Sequence, residues 1–371
     1  MVQCSLFLYR MRHEKQNIRK EKFMTKANGS QSLTRRGFIA GAATVGTAWK
    51  GRASSSPVAT KRDSPNQVAQ HDFDAIQKEI EALPKDVFMN FTQGVNWSED
   101  KSKLPAAECE AMYARYPILR RYDDASRKVV DEVRQTKVEG DRPAIWYVYN
   151  MGVIVKTRKS LFSIDLCHRL APTIADELDF AVISHNHLDH YTRAFYRAMD
   201  SRHKTVIQNF ECNYGAVLHV VNGKLMDKGG YSYGECKYDI GDVTVRTCVS
   251  DHNPVLRKFV MPVEIHIGDF TILHNGDTFN VQDLRPTRTP DVWIHHAWCW
   301  GGCYERSEWD QSETMRGIRA FHPRLAVVSH HQELSHAQPG RRTFKAAFDR
   351  KTAAEESGTP AVVPFWGDRI V

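Results

Sequence analysis

Three histidines and an aspartate crowd into one short stretch, Ser184-His185-Asn186-His187-Leu188-Asp189-His190. The run before it, Phe180-Ala181-Val182-Ile183, is short and apolar, the pattern of a buried strand. Tyr191 to Met199 reads as the start of a helix, so the cluster falls where a strand gives way to a helix. His185 and His187 are two residues apart, and an extended backbone turns both imidazoles to the same side. Asp189 and His190 follow on the turn and face a second point nearby. Neutral imidazole and carboxylate are ligands that borderline divalent metals prefer. The spacing therefore predicts a metal site at a strand end.

His-x-His-x-Asp-His after an apolar strand resembles the metal-binding signature of the metallo-β-lactamase superfamily. Ile183-Ser184-His185-Asn186-His187-Leu188-Asp189-His190 is most similar to the branch that holds ascorbate-6-phosphate lactonase and the N-acylphosphatidylethanolamine phospholipase D type enzymes. Ordered motifs carry the resemblance over residues 143–371 and say nothing of the chain before them. The resemblance implies an α/β fold, the αββα sandwich, with two β-sheets face to face and helices outside.

The rest of that region supplies residues where the resemblance expects them. Ile145–Val155 and Ser160–Leu166 are rich in Ile, Val, Tyr and Phe and read as a strand pair joined by a Lys/Arg-rich turn. Asp165 ends the second, at the place where the resemblance implies an aspartate that steadies a ligand histidine and raises its basicity. The strand Val243–Val249 delivers Ser250-Asp251-His252. His252, 62 residues after His190, takes the position of the third-motif histidine, with Asp251 as its local rival. Val263–Ile267 and Phe270–Leu273 flank Gly268-Asp269, a hairpin signal. The second runs into His274-Asn275-Gly276-Asp277-Thr278, where Gly-Asp-Thr resembles the fourth motif, whose aspartate bridges two metals. Gly276 frees the backbone to turn that carboxylate inward, and His274 reads as a strand-face residue. Leu325–Val328 ends at Ser329-His330-His331. His330 fits the fifth-motif offset, with His331 and His336 as competitors. His295 and His296 also end a strand. Contact with substrate or a ligand and simple packing beside Trp298 and Trp300 are both open for them.

The ligand set implied is His185, His187 and His252 on one metal, Asp189, His190 and His330 on a second, and Asp277 bridging. The cofactors expected are two divalent ions, zinc first, with manganese or iron as alternatives. Such a pair shares a water made acidic enough to attack at neutral pH, with Asp189 and Asp277 as catalytic proton acceptors. The activity implied is hydrolysis of a lactone, ester or phosphodiester in a small-molecule or lipid-derived substrate. Asp277 stands where one group of zinc β-lactamases has cysteine, and His187 where the di-iron flavoproteins have glutamate, which argues against both branches. A mononuclear iron dioxygenase of the same fold and a metal-retaining binding protein without turnover are the alternatives.

Charge divides the 371-residue chain. Its net +7 is a property of the first 62 residues, which hold 13 of the 51 basic and 2 of the 44 acidic side chains. The remainder carries 38 basic and 42 acidic residues and is weakly acidic, which argues against a nucleic-acid partner. Ser32-Leu33-Thr34-Arg35-Arg36-Gly37-Phe38-Ile39 resembles the twin-arginine export motif. The uncharged stretch Gly37–Trp49 is too short to span a bilayer and suits a signal-peptide core. The expectation is export to the periplasm or beyond by the twin-arginine machinery, with no stable membrane span and with Met24 a more ordinary start than Met1. The organisation expected is a signal peptide and linker over 1–62, a helical lead-in over 63–142 and a catalytic domain over 143–371. The linker reading covers Ser54–Gln70. In the lead-in, Asp72–Leu83 shows helical spacing stopped by Pro84, and Ala106–Gln135 is mostly helical with a break at Pro117. Its aromatic residues Phe88, Phe91, Trp97, Tyr113 and Tyr116 read as core. The eight cysteines include no Cys-x-x-Cys, so a zinc ribbon is not expected. Cys299 and Cys303 form either a disulfide or two buried thiols.

Overall fold

The computed structural model describes residues 71–94, 99–208, 220–221, 224–225, 236–252, 256, 259–278, 281, 284–297, 312–331, 334 and 343–371. All of them belong to one compact unit, Arg62–Val371. The export motif, the linker, Met24, Trp97, Trp298, Trp300, Cys299, Cys303 and His336 lie outside the described residues.

Asp72 caps helix α1 (Phe73–Glu81), its carboxylate accepting the Ala75 N–H at 3.0 Å. Pro84 ends the turn that follows and sets up α2 (Lys85–Thr92), which buries Phe88 and Phe91. Residues 106–135 form two helices, α3 (Ala106–Arg115) and α4 (Pro117–Gln135). Pro117 opens the second because the first turn of a helix needs no N–H from it. Leu119, Tyr122, Ala125, Val129 and Val133 recur every three to four residues and, with Ile118, form the buried face of α4. Phe88, Phe91 and Tyr113 are core residues, and Tyr116 packs against the core. Among the described residues no helix is long and apolar enough to cross a membrane.

The first sheet holds β1 (Ala144–Tyr149), β2 (Gly152–Lys156), β3 (Leu161–Ile164), β4 (Phe180–Ile183) and β5 (Thr205–Gln208), side by side in that order. β1, β2 and β3 are antiparallel; β3, β4 and β5 are parallel. Residues 145–155 are thus not the single strand that their composition suggests. The chain reverses at Asn150-Met151, and the strand pair is a three-stranded meander. Helix α5 (Arg193–Ser201) follows β4, capped by Thr192. β6 (Val220–Val221) pairs with β7 (Lys224–Leu225) in a small separate ladder.

The second sheet contains β8 (Cys236–Ile240), β9 (Val243–Thr247), β10 (Val263–Ile267), β11 (Phe270–His274), β12 (Val292–His296), β13 (Ala326–Ser329) and β14 (Ala361–Val362). It repeats the plan of the first sheet: an antiparallel meander from β8 to β11, then parallel strands from β11 to β14. Gly268-Asp269 turns the β10–β11 hairpin, as expected. Helix α6 (Glu313–Phe321) precedes β13, and α7 (Phe344–Glu356) lies between β13 and β14.

Side-chain alternation along these strands sorts the core into layers. Val245, Ile265, Ile272, Ile294 and Val327 share one apolar cluster with Ile145, Val153, Phe162 and Val182 of the first sheet and with the lead-in helices. Leu273, Trp293 and Ala326 face the other way, onto Met315, Ile318 and Phe321 of α6. The result is the αββα sandwich. Each fully buried large side chain, such as the stacked pair Phe162 and Phe180, contributes about 1.5–3 kcal/mol by leaving water.

Candidate metal centre

The site begins where β3 and β4 end. Asp165 leaves β3 with a left-handed backbone, φ +47°. Its carboxylate accepts the Ser184 N–H and the Ser184 hydroxyl, both at 2.6 Å, which ties the two strand ends together. Beyond Ser184, His185 Nε2 lies 3.1 Å from His187 Nδ1. The chain then tightens, with the His190 N–H donating to His187 O at 3.0 Å. The His190 ring points back, its Nδ1 2.8 Å from Asp165 Oδ2. Nδ1–H donates there, and Nε2 is left facing inward. Asp165 is therefore in hydrogen-bond contact with one of the histidines of the motif.

The second sheet delivers the remaining groups. His252 follows β9. After β11 the chain turns at Gly276, φ +51°, where a Cβ would sit 2.7 Å from Ser184 Oγ and 2.8 Å from Val260. Only glycine allows the loop to run this close to the first sheet's strand end. Asp277 consequently reaches the middle of the cluster. Its Oδ1 is 3.2 Å from His190 Nε2; its Oδ2 is 3.4 Å from His252 Nε2, 3.9 Å from His185 Nε2 and 3.3 Å from His330 Nε2. His330 Nε2 is equally 3.3 Å from Asp189 Oδ2. The strand ends at Ser329, and His330 has φ +55°, so it enters the site through a left-handed turn and not from extended backbone.

Seven side chains therefore meet in two groups, His185, His187, His252 and Asp277 in one, Asp189, His190, His330 and Asp277 in the other. In each group the four ligand atoms lie within 4.8 Å of one another. All but His187 are in the fully buried class. His190 Nε2 and Asp277 Oδ1 are buried without a well-formed hydrogen bond. Four ligands at about 2.0–2.1 Å around a tetrahedral ion stand roughly 3.3 Å apart, and the Asp277 contacts scatter about that separation. The donor set and its spacing thus fit a divalent cation in each group, with Asp277 common to both.

Electrostatics agree with that reading. Burial, followed by the neighbouring histidines, holds His185 well below the usual imidazole range. Burial pushes His187 down to about 3. Burial also opposes the charge on His190, but Asp277, Asp189 and Asp165 outweigh it and hold this imidazole well above its ordinary value. For Asp277 burial favours the neutral acid, yet His330 and His190 prevail and keep it ionised. Without a metal, a proton held on His190 accompanies the ionised Asp277. A bound cation displaces that proton.

The competing residues lie elsewhere. Asp251 is in neither group. His331 stacks beside Tyr147 at 5.9 Å and meets the tilted ring of Phe344 at 5.4 Å. His274 Nε2–H donates to Met151 O at 3.0 Å, and Nδ1 accepts the Gly276 N–H at 3.2 Å, a bridge between strands. His295 stacks on Trp293 and meets Thr314. His296 Nε2–H donates to Thr278 O at 3.1 Å, which steadies the loop carrying Asp277. Phe259 covers the first group, its ring 4.9 Å from that of His187. Sequence reasoning missed Asn150, whose amide reaches Asp189. Asn and Gly two apart inside an apolar run was the available turn signal.

No family model and no curated protein matches the chain. Among solved structures it is similar to Igni18, a novel metallo hydrolase from the hyperthermophilic archaeon Ignicoccus hospitalis KIN4/I, at 16% identity over 62% of this chain and 97% of that one, TM-score 0.42. It is also similar to the metallo-β-lactamase fold protein YhfI from Bacillus subtilis (12% identity, 61% and 97% covered, TM-score 0.42). A third is the isothiocyanate hydrolase from Delia radicum gut bacteria (14% identity, 62% and 98% covered, TM-score 0.42). At these identities the chemistry of the site rests on this chain's own residues.

Proposed function

We propose that this chain is a metal-dependent hydrolase of the metallo-β-lactamase superfamily with a dinuclear centre. The observation that carries the reading is the pair of His/Asp groups sharing Asp277. When bound, two divalent ions would supply Lewis acidity and a water acidified to near neutral pH. His185, His187 and His252 hold one position; Asp189, His190 and His330 hold the other; Asp277 serves both. Asp165 fixes the tautomer of His190 by accepting from its Nδ1–H. Either Asp189 or Asp277 would take the one proton that the attacking water gives up. The motif's resemblance to the lactonase and phospholipase D type branch points to a lactone, ester or phosphodiester in a small-molecule or lipid-derived substrate. Zinc suits the donor set, as do manganese and iron.

The test is to strip the purified chain with a chelator, reload it with each metal, and assay lactones, carboxylic esters, phosphodiesters and N-acylphospholipids. Hydrolysis with about two metals per chain is expected. One iron per chain with oxygen uptake would replace the hydrolase by a dioxygenase, and metal uptake with no turnover on any class would leave a binding protein.

We also propose export by the twin-arginine pathway, on the motif Thr34-Arg35-Arg36-Gly37-Phe38. Arg35→Lys together with Arg36→Lys should retain the protein in the cytoplasm of a bacterium that has this pathway. Unchanged export of the double variant removes the signal reading.

A further inference from the structure

We infer that the β1–β2 turn sets the geometry of the second metal-binding group through Asn150, which makes Asn150 a positioning residue. This rests on the dinuclear reading above. Asn150 is fully buried and has φ +56°, a left-handed conformation that asparagine tolerates better than most residues. Its Nδ2 donates to the Asp189 carbonyl at 2.8 Å and lies 3.5 Å from Asp189 Oδ2. Its own carbonyl accepts the His330 N–H at 3.1 Å. One residue in the first sheet's hairpin thus holds Asp189, from that sheet, and His330, from the other. Both belong to the second group, and neither belongs to the first.

The residues beside it extend the contact. Met151 O accepts from His274, whose other nitrogen holds the Gly276 N–H, and Met151 Sδ lies 2.9 Å from the Ser329 hydroxyl oxygen, which donates to His295 O at 2.7 Å. A Cβ on Gly152 would stand 2.7 Å from Asp165 O, so the turn lies against the backbone of the residue that orients His190. The turn therefore touches Asp165, the Asp189 loop, the support of the Asp277 loop and the His330 strand end.

Asn150 is not placed there for stability alone. Its Oδ1 is buried with no hydrogen-bond donor among the described residues, and such an orphan is unfavourable. Removing the amide takes away that orphan but leaves the Asp189 carbonyl without its 2.8 Å donor, and so releases Asp189. Outer hydrogen bonds to metal ligands typically alter affinity by 10–100-fold.

The experiment titrates the full-length, chelator-stripped chain with zinc, following both equivalents by calorimetry and confirming stoichiometry by metal analysis. Asn150→Gly keeps the left-handed backbone and the carbonyl that meets His330, and removes the whole side chain with its amide. One of the two equivalents should weaken by about 10–100-fold, while the other keeps its affinity and the metal-free chain still unfolds cooperatively. Asn150→Asp sets a carboxylate oxygen against the Asp189 carbonyl and should weaken the same equivalent at least as far. Unchanged affinity of both equivalents in either variant overturns the proposal. So does parallel weakening of both equivalents with a lowered melting temperature, which would mark a role in the fold. Wild type that takes up only one equivalent overturns the dinuclear reading itself, and that is seen before any variant is made.

Discussion

Between the lead-in helices and the loop after β3, Arg169 and Asp123 bury a full ion pair; at the strand ends, Asp277 and its histidines bury a cluster of similar size. The first closes on itself. Arg169 Nε donates to Asp123 at 2.9 Å, its Nη1 donates to Lys101 O at 2.6 Å, and its guanidinium lies over Phe91 at 4.5 Å. Asp123 also accepts the Tyr113 hydroxyl. The adjoining His168 donates to Tyr122 O and accepts the Leu170 N–H, each at 3.0 Å. The second cluster points carboxylate oxygens and imidazole nitrogens at a common space, most of them 3.2–3.9 Å apart. Removing charge from water is unfavourable in both places and needs close compensation. The lead-in finds it in its own side chains; the strand ends are arranged for a cation to provide it.

Five substitutions would sharpen or break that contrast. Asp277→Ala removes the one carboxylate common to both groups. Turnover should fall by orders of magnitude while unfolding stays cooperative; near wild-type rate with unchanged metal content would show that Asp277 does not bridge. Next, His330→Ala should bind about one metal per chain where wild type binds about two, whereas His331→Ala, changed between Tyr147 and Phe344, should keep both. The reverse result would move the ligand one residue along.

In the closed region Arg169→Ala leaves Asp123 buried without its main partner, and should destabilise by about 3–5 kcal/mol in urea unfolding with metal stoichiometry intact. Loss of metal in step with stability would mean that the two regions are not independent. The smallest effect concerns acid. Burial holds His168 neutral, its pKa lowered from 6.5 to about 3. Between these values the unfolded chain binds a proton that the folded chain does not, so this group's contribution falls as pH drops below the unfolded value. From pH 7 to pH 5 the loss is about 2 kcal/mol. His168→Asn lacks it, so the stability deficit of that variant in the metal-free chain should shrink by about that amount over the same range. A constant deficit would show that His168 is not held neutral.

Much of the frame was legible because it depends on local pattern. Apolar runs of four or five residues marked the strands, Pro84 marked a helix end, Pro117 marked a break between helices, and Gly268-Asp269 marked a hairpin, all features fixed by neighbouring residues. The stretch from Ile145 to Val155 misled because it is apolar on both sides of Asn150, and composition outweighed the turn signal. His330 shows a related limit. Strand alternation separates it from His331, but its left-handed φ is imposed where the chain meets the Asn150 carbonyl, far away in sequence.

By itself the sequence determined where polar ligand types stand at the ends of buried strands, since hydrophobic periodicity and glycine placement act over a few residues. Only the tertiary structure decided which oxygen faces which nitrogen. Asp277 meets His185, His190, His252 and His330 because two sheets, packed through one apolar core, bring their strand ends together. It also decided that a turn in the first sheet holds residues of both. Contacts between residues so distant in sequence are set by how layers pack, which no local periodicity encodes.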